Sequence, residues 1–248
     1  MGGPFAPTQQ PSVDASLQHT GSRSLSLIAT QAFGLGLALG ICFQAAVHLS
    51  REEQPLWRLP AFLCSLCVFH FFEFYTTARW NTPAVKASSF LLYSNGWAWH
   101  TAHSCAVLEI IITSIIVPGW QARFSPFWIR LLGGSLVLAG QAVRSTAMAQ
   151  AGTNFNHIPA RQKAADHTLV TNGVYAYLRH PSYAGFFWWA LGTQLLVGNK
   201  MCAMVYAGVL WRFFDSRIRG EERFLNEFFG EEYVEYKKRT GTMIPFIR

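Results

Sequence analysis

Stretches of apolar residues separated by short polar segments set the outline of this chain: Leu25 to Leu49, Leu59 to Thr77, Ala98 to Val117, Phe127 to Met148, Tyr183 to Val197 and Met201 to Phe214. Several approach the ~20 residues that a helix needs to cross the hydrocarbon core of a bilayer. A spanning backbone must satisfy its own hydrogen bonds. The pattern therefore predicts an all-α fold, a polytopic membrane helix bundle of roughly six transmembrane helices. The last two stretches are joined only by Gly198, Asn199 and Lys200, which predicts a tight antiparallel hairpin.

Polar segments divide the chain further. Residues Met1 to Ser24 are rich in Gly, Pro, Ser, Thr and Gln without apolar periodicity, and read as a disordered N-terminal tail. The run from Leu25 is too long and too far from the start to be a signal-peptide core, so it reads as the first span. Residues 25–150 then hold the first four transmembrane helices. Residues 151–248 carry a polar loop (Ala151 to Arg179), the hairpin, and a charged tail from Asp215 that reads as helical around Glu221 to Lys238. The loop and the tail flank the hairpin, so chemistry is expected where they meet.

Composition agrees with a membrane protein: 51% of the 248 residues are hydrophobic and only 13% are charged, a balance that a soluble domain of this length does not keep dispersed. The net charge of +7 does not indicate nucleic acid, because the basic residues gather in short segments beside apolar runs. With an even number of spans both termini share a side. That side collects Arg79, Lys86, Arg144, Arg161, Lys163, Arg179, Arg217, Arg219, Arg223 and Lys237 to Arg239, against Arg51, Arg58, Arg123, Arg130 and Lys200 opposite. The positive-inside bias puts both termini in the cytosol.

Several features take structural readings. The five cysteines lie in apolar stretches and read as small core residues; Cys64-x-x-Cys67 has no second ligand pair near it. Gly34-x-Gly36-x-x-x-Gly40 lies within a span and reads as a helix-packing surface. Ionisable groups in or beside spans are costly, and His70, Glu73, His100, His103 and Glu109 are expected in buried hydrogen-bonded pairs. His100-x-x-His103 lacks a third ligand nearby, and no metal site is expected. Asn154, Asn156 and His157 are as well suited to capping their loop as to catalysis.

Three polar elements stand out beside the membrane: Gly152-Thr-Asn-Phe-Asn-His157, His167-Thr-Leu-Val-Thr-Asn-Gly-Val-Tyr175 and Arg179-His-Pro-Ser-Tyr-Ala-Gly185. With Trp211-Arg-Phe-Phe, Glu221-Glu222 and Phe228-Phe-Gly-Glu-Glu-Tyr-Val-Glu-Tyr-Lys-Lys238, the chain from Gly152 onward resembles the isoprenylcysteine carboxyl methyltransferase family. The resemblance implies an all-helical endoplasmic-reticulum membrane enzyme. It implies S-adenosylmethionine as methyl donor, S-adenosylhomocysteine as product, and C-terminally prenylated, CaaX-processed proteins as partners.

Carried over by position, the family's cofactor contacts fall on His167, Thr168, Leu169, Val170, Tyr175, His180, Pro181, Ser182, Tyr183 and Glu221, and its substrate contact on Arg217. The chain departs from the family at Ala160, where a glutamine touches the cofactor; Gln162 is the nearby replacement. The chemistry agrees with these residues. Methyl transfer to a carboxylate is an in-line displacement that needs positioning and desolvation rather than strong acid or base. A planar guanidinium such as Arg217 orients a carboxylate in bidentate fashion. Tyr175, Tyr183, Glu221 and His180 supply the aromatic faces, acid and imidazole that a sulfonium amino acid with ribose hydroxyls calls for. The aromatics Phe186 to Trp189, Trp211, Phe213 and Phe214 are available to line a prenyl slot, or to pack and anchor the helices.

The Arg-His-Pro-x-Tyr-x-Gly element is shared with membrane phospholipid methyltransferases and some sterol reductases, which stand as alternatives. A transporter built on Glu73, His103 and Glu109 is a third, but leaves the C-terminal motifs without a purpose. Prenyl preference and oligomeric state stay open at this stage.

Overall fold

The computed structural model describes residues 14–158, 162–163 and 167–248, and all of its extended elements are helical. Ser24 opens α1 (Leu25–Arg51): its hydroxyl accepts the Leu27 N–H at 3.3 Å, satisfying one of the free donors of the first turn. No residue of α1 is buried, and it leans mainly on α2 (Arg58–Trp80), as suits a helix immersed in lipid. α3 (Trp97–Ile116) follows, then a short α4 (Trp120–Phe124) that no apolar run announces, and α5 (Phe127–Ala151). The segments Leu25–Arg51, Pro55–Trp80 and Trp97–Ile116 are each long and apolar enough to cross a membrane.

The hairpin is made by α6 (Pro181–Val197) and α7 (Lys200–Phe229). Pro181 starts α6 because the first helical position needs no N–H. Gly198, at φ 77°, ends it in a left-handed turn, with its N–H and that of Asn199 both donating to the Gln194 carbonyl. At 17 residues α6 is about 25 Å long, short of a full hydrocarbon crossing.

Two expectations are corrected here. α7 does not stop near Phe214: it runs for 30 residues as one helix, and the break falls at Gly230 (φ 53°), before α8 (Glu231–Arg239). No proline interrupts Asp215 to Phe229, and the Arg219–Asp215 pair at 2.8 Å supports the helix as it leaves the apolar segment. Residues 14–24, expected as the end of a disordered tail, form a short 3-10 turn (Ala15–Leu17) capped by the Asp14 carboxylate. The Ser22 carbonyl of that segment accepts the Ala87 N–H, so it is tied to the loop after α2. Residues 1–13 lie outside the described part of the chain.

α5 and α6 share the most extensive contact in the molecule, and glycine makes it possible. A Cβ built on Gly140 would stand 2.6 Å from the Gly185 carbonyl oxygen, and one on Gly192 2.8 Å from the Gly133 carbonyl oxygen. Backbone therefore meets backbone, as small residues allow in membrane helices. One apolar core joins Phe62, Phe69, Ile110, Trp189 and Tyr206; a second joins Phe187, Phe214 and Ile218 to Ile244 and Ile247 of the C-terminal segment. That segment is held by a bridge between Leu178 and Gly241 and by two indoles, Trp188 Nε1 donating to Met243 O at 2.9 Å and Trp211 Nε1 to Pro245 O at 2.8 Å.

Candidate active site

The N-terminus of α6, the outer half of α7, α8 and the loop after α5 converge at one end of the bundle. There they enclose a cavity lined by His167, Thr168, Leu169, Val170, Tyr175, His180, Pro181, Ser182, Tyr183 and Glu221. These are all ten positions expected to meet a cofactor. Ala151, Asn154, Phe155, Asn156, Arg179, Leu225, Phe229, Tyr233 and Tyr236 complete the wall. Of the departure at Ala160, the glutamine's usual position lies outside the described residues; Gln162 is described and does not line the cavity.

Each wall is fixed by a specific bond. Asn154 pins the extended strip His167–Val170: its Oδ1 accepts the Thr168 N–H at 3.0 Å and its Nδ2 donates to the Thr168 hydroxyl at 3.3 Å. Asn154 thus satisfies a backbone donor of the facing strip. Gln150, on the last turn of α5, accepts the Val174 N–H at 2.8 Å and holds the turn that carries Tyr175. The Tyr236 hydroxyl donates to the Tyr175 carbonyl at 2.7 Å, so α8 forms the far side.

Below the cavity lies an ionic hub that the sequence did not single out beyond its Glu-Glu pair. Glu222 is buried and receives Arg179 Nε at 2.6 Å, Lys237 Nζ at 2.5 Å and the His180 ring at 3.3 Å. Burial opposes ionisation of this carboxyl, but the bonds from His180, Lys237 and Arg179 outweigh it and hold Glu222 well below the usual carboxylate range. The hub sets the orientation of His180, whose ring stacks on Tyr183 with centroids 5.5 Å apart.

Arg217 and Glu221 stand one turn apart on α7, which the unbroken helix makes possible. Tyr183 donates its hydroxyl to Glu221 Oε2 at 2.6 Å, and Arg217 Nε donates to the same hydroxyl at 3.1 Å. A second Arg217 nitrogen donates to the His157 carbonyl, and the guanidinium lies over the Tyr183 and Phe213 rings. The His157 imidazole is lowered by burial, with Arg144 and Arg217 adding to that effect against Glu73.

Glu73, expected in a buried pair, and Arg144, expected as a topology residue, are partners. Arg144 meets both Glu73 oxygens, and its remaining nitrogen donates to the Ser182 hydroxyl at 3.0 Å and carbonyl at 3.3 Å. Of the other intramembrane groups, His70, His103 and Glu109 bond to backbone, whereas the His100 ring makes no hydrogen bond among the described residues. His70 and His103 turn Nδ1 to the carbonyls of Phe90 and Trp99, each at 2.8 Å. Glu109 accepts the N–H groups of Met201 and Cys202 at the start of α7. Of the aromatics offered for a prenyl slot, Phe187, Trp189 and Phe214 are core, and Trp188 and Trp211 tie down the C-terminus.

A model of the isoprenylcysteine carboxyl methyltransferase (ICMT) family matches residues 132–227, the span that carries most of the cavity wall. The protein-S-isoprenylcysteine O-methyltransferase of Saccharomyces cerevisiae is 47% identical over 216 residues, covering 86% of this chain and 88% of its own. The chain belongs to the isoprenylcysteine carboxyl methyltransferase family. The human protein-S-isoprenylcysteine O-methyltransferase is 40% identical over 210 residues, covering 85% of this chain and 72% of its own. A solved eukaryotic intramembrane Ras methyltransferase of the family superposes with a TM-score of 0.81 at 34% identity, covering 89% of this chain and 77% of that one. The fold is therefore that of a helical membrane protein, as the apolar pattern implied.

The cavity suits the cofactor class of such an enzyme. Tyr233 is buried and contributes its ring to the wall, next to the Glu222 hub. Glu221 offers a half-buried acid, and Tyr175 and Tyr183 offer aromatic faces for a cation.

Proposed function

We propose that this chain transfers a methyl group from S-adenosylmethionine to the α-carboxylate of a C-terminal S-isoprenylcysteine on CaaX-processed proteins. The observation that carries the reading is the meeting of Arg217 and Glu221 at one tyrosine hydroxyl beside the cavity. One helix thereby offers a cation for the acceptor and an acid for the donor, one turn apart.

S-adenosylmethionine supplies the methyl group, and the chain's residues position it. His167, Thr168, Leu169, Val170, Tyr175, His180, Pro181, Ser182, Tyr183 and Glu221 would hold it; Tyr183 and His180, stacked, form a rigid wall. Arg217, whose guanidinium meets the Tyr183 hydroxyl beside the cavity, would orient the acceptor carboxylate through charge-assisted hydrogen bonds. No side chain needs to take a proton, because the nucleophile is already an anion at neutral pH.

The end of the bundle that bears the cavity also carries Arg79, Lys163, Arg219, Arg223 and Lys237, a bias that supports a cytosolic active site with both termini on that side. An endoplasmic-reticulum membrane is the location this reading assigns. The test is methyl transfer from labelled S-adenosylmethionine to N-acetyl-S-farnesylcysteine by detergent-solubilised protein, with free cysteine as the control acceptor. Transfer to the farnesylated compound alone, abolished in Arg217→Ala, is expected. A parental chain that binds S-adenosylhomocysteine yet methylates no prenylcysteine would move the acceptor to another lipid.

A further inference from the structure

Arg217 and Glu221 lie at the i, i+4 spacing on α7, where an arginine and a glutamate are within reach of an ion pair. Among the described residues no ion pair joins them. The Tyr183 hydroxyl stands where that contact would form. Its single proton goes to Glu221 Oε2 at 2.6 Å, and its oxygen accepts Arg217 Nε at 3.1 Å, so one hydroxyl satisfies both charges without letting them touch.

Two rings pack against the tyrosine. His180 stacks on one side with an interplanar angle of 4°, and Phe214 packs tilted at 5.3 Å. Pro181 fixes the turn that brings it to α7. A ring so braced cannot swing away, and the charged pair cannot collapse around it.

We propose that the Tyr183 hydroxyl is a positioning group that keeps the acceptor-binding cation and the cofactor-binding acid from neutralising each other; this rests on the roles of Arg217 and Glu221 given above. Without it, Arg217 turns to its neighbour and is withdrawn from the acceptor carboxylate. The role differs from a cofactor contact because it acts on acceptor binding when no cofactor is present.

Equilibrium binding of labelled N-acetyl-S-farnesylcysteine to the solubilised full chain, without cofactor, tests it. Tyr183→Phe keeps the stacked ring and should weaken acceptor binding about tenfold, the scale of one charge-assisted hydrogen bond. Adding Glu221→Gln should restore binding to within about threefold of the parental chain, because Arg217 then has no anion to close on. Unchanged acceptor affinity in Tyr183→Phe, or no restoration in the double variant, overturns the proposal. Thermal unfolding midpoints confirm that each variant is folded. If Tyr183→Phe does not fold, Glu221→Gln alone decides: a change under about threefold is expected, and a tightening of about tenfold would show that the two charges already pair. A parental chain that neither binds nor methylates the compound sinks the proposed function. One that does both, with no coupling in the variants, sinks only this role of Tyr183.

Discussion

Glu73 on α2 and Arg144 on α5 are 71 positions apart in the chain and form a two-pronged ion pair in the buried centre of the bundle. The same guanidinium reaches Ser182 on the turn that opens α6. One buried cation thus ties two membrane helices to the wall of the cavity.

Removing one member leaves the other charged and alone, which costs about 3–5 kcal/mol in buried pairs. Glu73→Ala and Arg144→Ala are both expected to lower the thermal midpoint strongly, and a double change to Met at both positions less than either. Arg144 variants should also lose S-adenosylhomocysteine affinity beyond what Glu73 variants lose, because only Arg144 holds Ser182. Equal losses in the two series would show that the Ser182 contact does not matter.

Glu222 makes a pH-dependent contribution whose sign follows from its depressed carboxyl. In the unfolded chain it protonates near its ordinary value of 4.5; in the folded chain it stays ionised to lower pH. Its stabilisation is therefore complete above pH 4.5 and is lost as the pH falls from there toward the folded value. Glu222→Gln should be clearly less stable than the parent at pH 7, and the gap should shrink by pH 3. Unfolding midpoints of both proteins across that range check it; a constant gap would mean that the hub does not depend on the charge.

The apolar runs made the helical membrane fold legible, and the Arg179 to Gly185 and Glu221 positions made the cavity legible, because each is a dense local pattern. What escaped was of another kind. The pairing of Glu73 with Arg144 depends on how α2 and α5 pack, and no spacing in the sequence encodes it. The end of α7 was misplaced because hydropathy falls after Phe214 while helix propensity does not; the backbone continues until Gly230 takes a positive φ. Trp188 and Trp211 read as slot or interface aromatics, but their indole N–H groups are spent on the C-terminal carbonyls. Arg217 and Glu221 are near neighbours in the sequence, but that the Tyr183 hydroxyl joins them depends on how α6 packs on α7 and no spacing encodes it.

Glu109 shows why an intramembrane acid need not be functional. Its two oxygens take the N–H groups of Met201 and Cys202 at 2.9 and 2.7 Å, capping α7 from a neighbouring helix. Loss of a helix cap costs about 1 kcal/mol, and an anion at a helix N-terminus is favourable in its own right. Glu109→Ala should lower the unfolding midpoint by a few degrees while the kinetic constants for methyl transfer stay within about twofold. Activity lost at unchanged stability would instead give Glu109 a working role.

The α5–α6 contact makes an internally controlled prediction. A methyl group on Gly140 meets the Gly185 carbonyl and the Trp189 backbone at 2.6 Å, neither of which can yield without parting the helices. Overpacking of this kind costs about 1–3 kcal/mol, and parting these helices displaces Ser182 and Tyr183 at the start of α6. Gly134 lies on the same helix, but there a methyl group comes no nearer than 3.9 Å, to the mobile end of Leu196. Gly134→Ala should be neutral or stabilising by up to about 1 kcal/mol, since alanine favours the helix. Gly140→Ala should lower both the midpoint and S-adenosylhomocysteine affinity. If the two variants behave alike, close backbone approach is not what holds the cavity wall in place.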